Sequence, residues 1–145
     1  KLKKIGPDIL NEKKISFQDY KKRMIKYSHY NITKAMMDQK IISGIGNYLK
    51  SEILYNAKIS PLRKVEDLEE KELYNLYNSS KKIINKSYKN GGVSIRDFED
   101  IDRKKGRYQF KLEVYCKKED KNRFEIERIS TPDKRTTYWV PKIQI

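Results

Sequence analysis

Two glycines flank one isoleucine at Gly44, Ile45 and Gly46, between two segments of helical pattern, and Asn47 follows directly. Paired glycines permit a tight turn in which the backbone approaches a neighbour closely, and asparagine is a favourable N-cap for the helix that follows. The first N–H groups of a helix have no partner within it, so a helix start binds anions, most often phosphate. The pattern predicts a phosphate-binding turn, although a plain corner between two helices would use the same residues.

The charge of the chain favours the same partner. Its 145 residues include 34 Lys and Arg against 20 Asp and Glu, a net charge of +14 with a pI near 9.7. This excess is larger than solubility requires, and it favours nucleic acid. A membrane is not favoured, because no apolar run approaches the roughly 20 residues of a span. One cysteine, Cys116, and one histidine, His29, exclude an internal disulfide and disfavour a structural metal.

The elements that must position the turn are predicted from apolar spacing. Apolar residues recur at helical intervals in four segments: 16–27, 31–39, 47–57 and 65–88. Three later segments alternate in polarity or are rich in strand-forming residues: 108–115, 123–129 and 135–140. Residues 131–134 form a turn sequence, and the charged stretch 96–107 has no period and predicts a loop. The predicted fold class is mainly α with a small β part, a helical bundle followed by an antiparallel hairpin.

Several ordered motifs make the chain similar to a known family. They lie at residues 6–10, 38–61, 91–97, 106–109, 114–115 and 135–144. Together they resemble the formamidopyrimidine-DNA glycosylase and endonuclease VIII family, base-excision enzymes that act on oxidised bases. The resemblance covers nearly the whole chain. It implies four parts: a linker from an N-terminal catalytic domain (1–14), a helix–two-turn–helix domain (15–90), a lesion-covering loop (91–107) and a β-hairpin finger (108–145).

The finger departs from the family pattern, in which two Cys-x-x-Cys pairs hold zinc. Val140 and Ile143 stand where the second pair is expected, and residues 122–125, where the first would fall, contain no cysteine. We therefore expect no zinc and no other cofactor. Apolar packing is expected to hold the finger instead, through Phe124, Ile126, Trp139 and Val140. This resembles the zincless-finger branch of the endonuclease VIII-like enzymes, known from animals and large DNA viruses.

The resemblance places the family's chemistry outside this sequence. In enzymes of this family, an N-terminal amine, usually that of proline, attacks C1′ of the damaged nucleotide, and a catalytic glutamate lies next to it. The sequence begins Lys1-Leu2 and has neither residue. We expect no catalytic residue in this chain and no activity of the chain alone. The parent protein is expected to be a DNA glycosylase and β,δ-eliminating AP lyase. Glu52, inside the third predicted helix, is expected to be structural.

The resemblance assigns DNA contacts to the turn and to the finger. Asn47 is expected to bind a phosphate near the lesion, helped by the backbone of Gly44 and Gly46, although it could act only as a helix cap. Arg135 corresponds to the family's finger arginine, which binds phosphates flanking the extruded nucleotide, and a guanidinium suits this role. Two lysines could add phosphate contacts or simply face solvent: Lys40 and Lys50.

The loop at 91–107 is expected to cover the everted base, since chemistry on a base requires its removal from the stack. Its basic residues Arg103, Lys104 and Lys105 are candidate contacts, unless the loop is only a connector.

The expected partners are damaged double-stranded, abasic or single-stranded DNA and the N-terminal catalytic domain, with the protein an intracellular monomer in nucleus or cytoplasm. Two alternatives stay open. One is a non-catalytic nucleic-acid module of the helix–two-turn–helix type, and the other is a lesion or single-strand binder that has lost catalysis.

Overall fold

The computed structural model describes residues 15–89 and 112–145. The elements in chain order are α1 (Phe17–Ile25), α2 (Ile32–Met37), α3 (Asn47–Ala57), a 3-10 turn (Val65–Asp67), α4 (Glu70–Lys89), β1 (Glu127–Thr131) and β2 (Arg135–Trp139). The helices with one antiparallel hairpin confirm the predicted fold class. None of the helices in these two ranges is long and apolar enough to cross a membrane.

The first two helices begin at residues whose side chains cap them. Ser16 Oγ accepts the backbone N–H of Asp19 at 3.2 Å, and Asn31 Oδ1 accepts that of Thr33 at 2.8 Å. Each cap satisfies a helix-start N–H that has no partner within the helix. Asn31 also donates its amide to the carbonyl of Pro61 at 2.9 Å, which ties the start of α2 to the loop after α3.

The third helix, α3, is the centre of the molecule. It packs against α2, α4 and β2. Every residue from Asn47 to Tyr55 is buried, so this stretch has no solvent face. Ile53 and Leu54 are fully buried in the main apolar core, and burial of such side chains contributes about 1.5–3 kcal/mol each. Groups carried by α3 are therefore held in place by several elements at once.

The predicted helix over 65–88 is wrong at its start. Val65–Asp67 is a 3-10 turn, and α4 begins only at Glu70. Two carboxylates explain the break, because each takes a backbone N–H in its own neighbourhood. Asp67 accepts the N–H of Lys64 at 3.1 Å, and Glu72 accepts that of Glu69 at 2.9 Å. The bond between Glu69 and Glu72 caps the first turn of α4.

The hairpin is shaped by a three-residue turn. β1 and β2 pair antiparallel, with Glu127 opposite Trp139 at one end and Thr131 opposite Arg135 at the other. The N–H of Lys134 donates to the carbonyl of Thr131 at 2.8 Å, and Lys134 has a positive φ of 65°. A short turn ending in one left-handed residue is a common three-residue hairpin loop. The turn predicted at 131–134 is confirmed, and so is the strand predicted at 135–140, except that it ends one residue earlier, at Trp139.

The other two strand predictions need correction. Leu112 to Tyr115 is not a strand, because side-chain oxygens of α3 take the N–H groups of this segment; residues 108–111 lie outside the described residues. The strand predicted at 123–129 starts later, at Glu127. Asp120 Oδ1 accepts the N–H of Phe124 at 2.9 Å, so this residue belongs to a turn.

Candidate nucleic-acid interface

The glycine turn leaves the start of α3 open. Gly44 has a φ of 99°, a conformation that favours glycine. Gly46 has an ordinary φ of −94°, and a Cβ added there would meet no atom within 4 Å. Gly46, not Asn47, is the N-cap, and it provides no side-chain cap, which corrects the predicted cap. The helix start thus has free space beside Gly46 and no cap from the side chain of its own N-cap residue.

Asn47 is the first residue of α3, and its side-chain oxygen has no hydrogen bond to any of the described residues. The residue is only 7% exposed, and its Oδ1 is buried without a hydrogen bond within the described ranges. Buried polar atoms are nearly always bonded, so this exception at the start of α3 calls for a partner that the described residues do not supply. The oxygen and nitrogen of an amide are assigned from their surroundings, and a flipped amide would present N–H₂ to an anion.

The two candidate lysines differ in environment. Lys40 is exposed, in the turn that follows α2, and its backbone N–H donates to Asp38 at 2.9 Å. Lys50 has a fully buried side chain, and its Nζ lies 2.6 Å from Asp133 Oδ2. A phosphate contact by Lys50 does not fit this burial, and that prediction is corrected. The motif could not reveal it, because Asp133 lies 83 residues away.

Arg135 is exposed at the start of β2, directly after the hairpin turn. Its backbone is held in the hairpin, where Arg135 pairs with Thr131. Burial lowers the pKa of Lys50, Asp133 opposes this, and the nearby positive charge of Arg135 lowers the pKa further. Arg135 is an exposed residue of a strand that packs against α3.

The hairpin and α3 are joined by polar contacts as well as by packing. Beside the Lys50–Asp133 pair, the hydroxyl of Ser51 accepts the backbone N–H of Tyr138 at 3.1 Å. Successive residues of α3 thus bind the turn before β2 and, near its other end, the strand itself. The open helix start and Arg135 consequently belong to one scaffold, as a two-sided anion site requires.

Comparisons with known proteins agree with this arrangement. A model of the formamidopyrimidine-DNA glycosylase H2TH domain matches residues 5–99. The chain belongs to the formamidopyrimidine-DNA glycosylase family. The enzyme of that name from Psychromonas ingrahamii is 35% identical over 119 residues, which is 80% of this chain and 42% of the relative. The one from Prochlorococcus marinus subsp. pastoris is 32% identical over 146 residues, 97% of this chain and 48% of the relative. The chain spans less than half the length of these relatives.

Solved structures of the glycosylase family share the fold. The Lactococcus lactis enzyme in complex with DNA containing an abasic site matches 97% of this chain and 52% of its own, with a TM-score of 0.80 and 27% identity. MutM in complex with DNA containing carbocyclic 8-oxo-G matches 98% of this chain and 51% of its own, with a TM-score of 0.79 and 28% identity.

The finger has a polar anchor that sequence reasoning missed. Asp120 Oδ1 accepts the N–H groups of Asn122 and Phe124, at 2.8 and 2.9 Å, and Oδ2 accepts the hydroxyl of Tyr55 on α3 at 2.9 Å. Burial raises the pKa of Asp120, but these hydrogen bonds outweigh it and hold the pKa below its ordinary value. An aspartate followed by Asn122 is a local turn signal, whereas its bond to Tyr55 has no sequence signal.

The apolar part of the finger matches expectation in part. Phe124, Ile126 and Val140 belong to one cluster with Tyr55 of α3, while Trp139 is buried without belonging to it. In the described ranges, no group of three or more His, Cys, Asp or Glu residues could hold a metal.

Gln144 and Ile145 tie the finger to the segment that follows α3. Gln144 is buried, its Oε1 accepts the N–H of Val140 at 2.8 Å, and its Nε2 donates to the carbonyl of Ile59 at 2.9 Å. The N–H of Ser60 donates to the carbonyl of Ile145 at 3.0 Å. The candidate loop contacts at residues 103–105 lie outside the described residues.

Proposed function

We propose that this chain is the DNA-binding part of an enzyme that excises oxidised bases in base-excision repair. The start of α3, with Gly44, Gly46 and Asn47, binds one phosphate beside the damaged nucleotide. Arg135 binds another from the finger, and exposed Lys40 adds charge. The start of α3 carries this proposal, because its N-cap Gly46 has no side chain to cap it and a helix start is a natural site for phosphate. The side-chain oxygen of Asn47, which has no hydrogen bond within the described residues, adds to it.

Two further observations support DNA as the ligand. The net charge of +14 favours a polyanion over a single small anion. The structural relatives from Lactococcus lactis are bound to DNA that contains an abasic site, a product of base removal. An enzyme that acts on a base takes the nucleotide out of the stack, and two separate anion contacts would hold the phosphates on either side of it.

The division of the protein follows from this role. Residues 15–90 and 108–145 hold DNA, and the loop at 91–107, with Arg103, Lys104 and Lys105, closes over the displaced base. The glycosylase and β,δ-eliminating lyase steps are assigned to a catalytic domain outside this chain. The chain by itself is proposed to be inactive. The protein acts as a monomer inside the cell, where its DNA substrate is.

The finger is proposed to stand without zinc. Three sets of contacts hold the finger in place of a metal: its apolar cluster, the bond from Tyr55 to Asp120 and the two bonds of Gln144. Arg135 then depends on these contacts, and not on a metal, for its place at the hairpin turn.

The test is a titration of the intact protein with duplex DNA containing a stable abasic-site analogue and with the matched intact duplex. We expect tighter binding to the analogue. Asn47→Ala and Arg135→Ala should each reduce its binding free energy by about 1.5–3 kcal/mol, the range for charge-assisted hydrogen bonds. Lys71→Ala, in an exposed position of α4, removes the same charge as Arg135→Ala and serves as the control.

Specific and general charge effects separate in this design. If Lys71→Ala weakened binding as much as Arg135→Ala, only net charge would act, and a non-catalytic nucleic-acid module would fit better. Equal affinities for the two duplexes would remove the lesion role.

A further inference from the structure

The ion pair between Lys50 and Asp133 is buried, so both charges lose their hydration when the protein folds. The two side chains are 0% and 2% exposed, and Nζ lies 2.6 Å from Oδ2. Removal of two charges from water costs several kcal/mol per ion, and apolar residues of similar volume often stabilise a protein as well or better. Some role other than stability is therefore expected of this pair.

Its location connects the two proposed phosphate contacts. Lys50 follows Asn47 by three residues on α3, so the two side chains lie on neighbouring positions of one helix face. Asp133 precedes Arg135 by two residues. The pair thus joins the helix that carries one contact to the turn that carries the other.

The turn is also braced from its own strand. The Thr131 hydroxyl donates to the second carboxylate oxygen of Asp133 and lies 2.8 Å from the hydroxyl of Thr137. Asp133 is consequently held on one side by the hairpin and on the other by α3. A carboxylate near a phosphate contact would repel DNA, and Lys50 neutralises this one.

We propose that the Lys50–Asp133 ion pair is a positioning pair for DNA binding, which sets the hairpin turn against α3 so that Arg135 and the start of α3 grip one stretch of backbone. Neither side chain touches the DNA. The inference rests on the proposed function, because it needs Arg135 to bind phosphate.

Asp133→Asn tests the proposal, because a pure charge effect and a positioning role predict opposite changes in DNA affinity. If charge alone mattered, removal of an anion beside the DNA would tighten binding. Misplacement of Arg135 instead weakens it. For the intact protein and abasic-analogue duplex, we expect Asp133→Asn to raise the Kd about tenfold, part of the effect of losing an arginine contact. Addition of Arg135→Ala to this variant should have much less effect than in the native protein, because the arginine is already displaced.

A stability control addresses variants that fold poorly. Lys50→Met combined with Asp133→Leu replaces the pair by apolar side chains and should keep or raise the Tm. Weaker binding at an undiminished Tm supports positioning. Native affinity in this double variant, or in Asp133→Asn, overturns it, as does full additivity with Arg135→Ala.

The same titrations separate this inference from the proposed function. If Arg135→Ala weakens native binding while the ion-pair variants bind normally, only the positioning role fails. If Arg135→Ala has no effect in the native protein, the proposed function of Arg135 fails and the positioning role with it. If Lys50 itself bound phosphate, Lys50→Met would weaken binding and Asp133→Asn would not, which also overturns the proposal.

Discussion

The carboxylate of Glu52, on α3, accepts the backbone N–H of Val114 at 2.9 Å across 62 residues of sequence. The N–H groups of Glu113 and Tyr115 donate to the same carboxylate, at 2.8 and 2.9 Å. Burial raises the pKa of Glu52, and the three N–H donors oppose that rise. The Glu52 carboxylate thus accepts the N–H groups that a neighbouring strand would otherwise accept. These bonds fix the start of the finger against α3.

Glu52→Gln should therefore destabilise the fold. The amide N–H₂ of glutamine would face backbone donors and leave at least one of them unsatisfied, at a cost of about 1–3 kcal/mol. Urea unfolding of the intact protein measures the change. Glu66→Gln, at an exposed position, is the control and should change the free energy of unfolding by less than about 0.5 kcal/mol. Equal stability of the two variants would contradict the structural role of Glu52.

Gly46→Asp should separate stability from binding at the start of α3. Aspartate is a strong N-cap and its Cβ has free space at this position, so stability should be retained or rise by a few tenths of a kcal/mol. Its carboxylate would take the N–H groups and repel phosphate, so affinity for abasic-analogue DNA should fall more than about tenfold.

Gly46→Asn serves as the control for shape, because it adds nearly the same side chain without charge. We expect it to bind between the native and Gly46→Asp proteins in a fluorescence anisotropy titration. Native affinity of a well-folded Gly46→Asp protein would exclude the helix start from the interface.

Asp120→Asn should lower stability in a pH-dependent way. The folded pKa of Asp120 lies below its ordinary value of about 3.9, so its contribution is complete above that value and is lost as the pH falls through the folded pKa. The stability gap between native and variant proteins should be constant from about pH 7 to 5 and shrink below about pH 4. Denaturant midpoints measured across this range test it.

The neighbouring exposed carboxylate provides the comparison. Glu119→Gln, one residue earlier, should show a much smaller gap at every pH. A gap for Asp120→Asn that stays constant to low pH would mean that the carboxylate charge does not anchor the finger to Tyr55.

Chelation tests whether the finger needs a metal. Prolonged treatment with a zinc chelator should leave both the Tm and the affinity for abasic-analogue DNA unchanged, because hydrogen bonds and apolar contacts hold the finger. A structural zinc site would contribute folding free energy that chelation removes. Stoichiometric zinc by metal analysis, together with a lower Tm after chelation, would contradict the zincless finger.

Local features of this protein followed from the sequence because nearby residues decide them. Ser16 and Asn31 cap α1 and α2 through N–H groups two or three residues away, and the turn before Arg135 is closed by a bond from Lys134 to Thr131. The bounds of α3 and the start of β2 were predictable for the same reason. Family membership also followed from the sequence, because its motifs are local strings in a fixed order.

Only the tertiary structure decided which groups remain available for function. Lys50 resembled a surface phosphate contact until Asp133, from the hairpin, buried it, and residues 112–115 had a strand pattern until Glu52 took their N–H groups. Asn47 resembled a cap, yet Gly46 is the N-cap and the side-chain oxygen of Asn47 has no hydrogen bond within the described ranges. Such outcomes depend on partners many residues away, and a local pattern carries no information about which side chain will meet which backbone after packing.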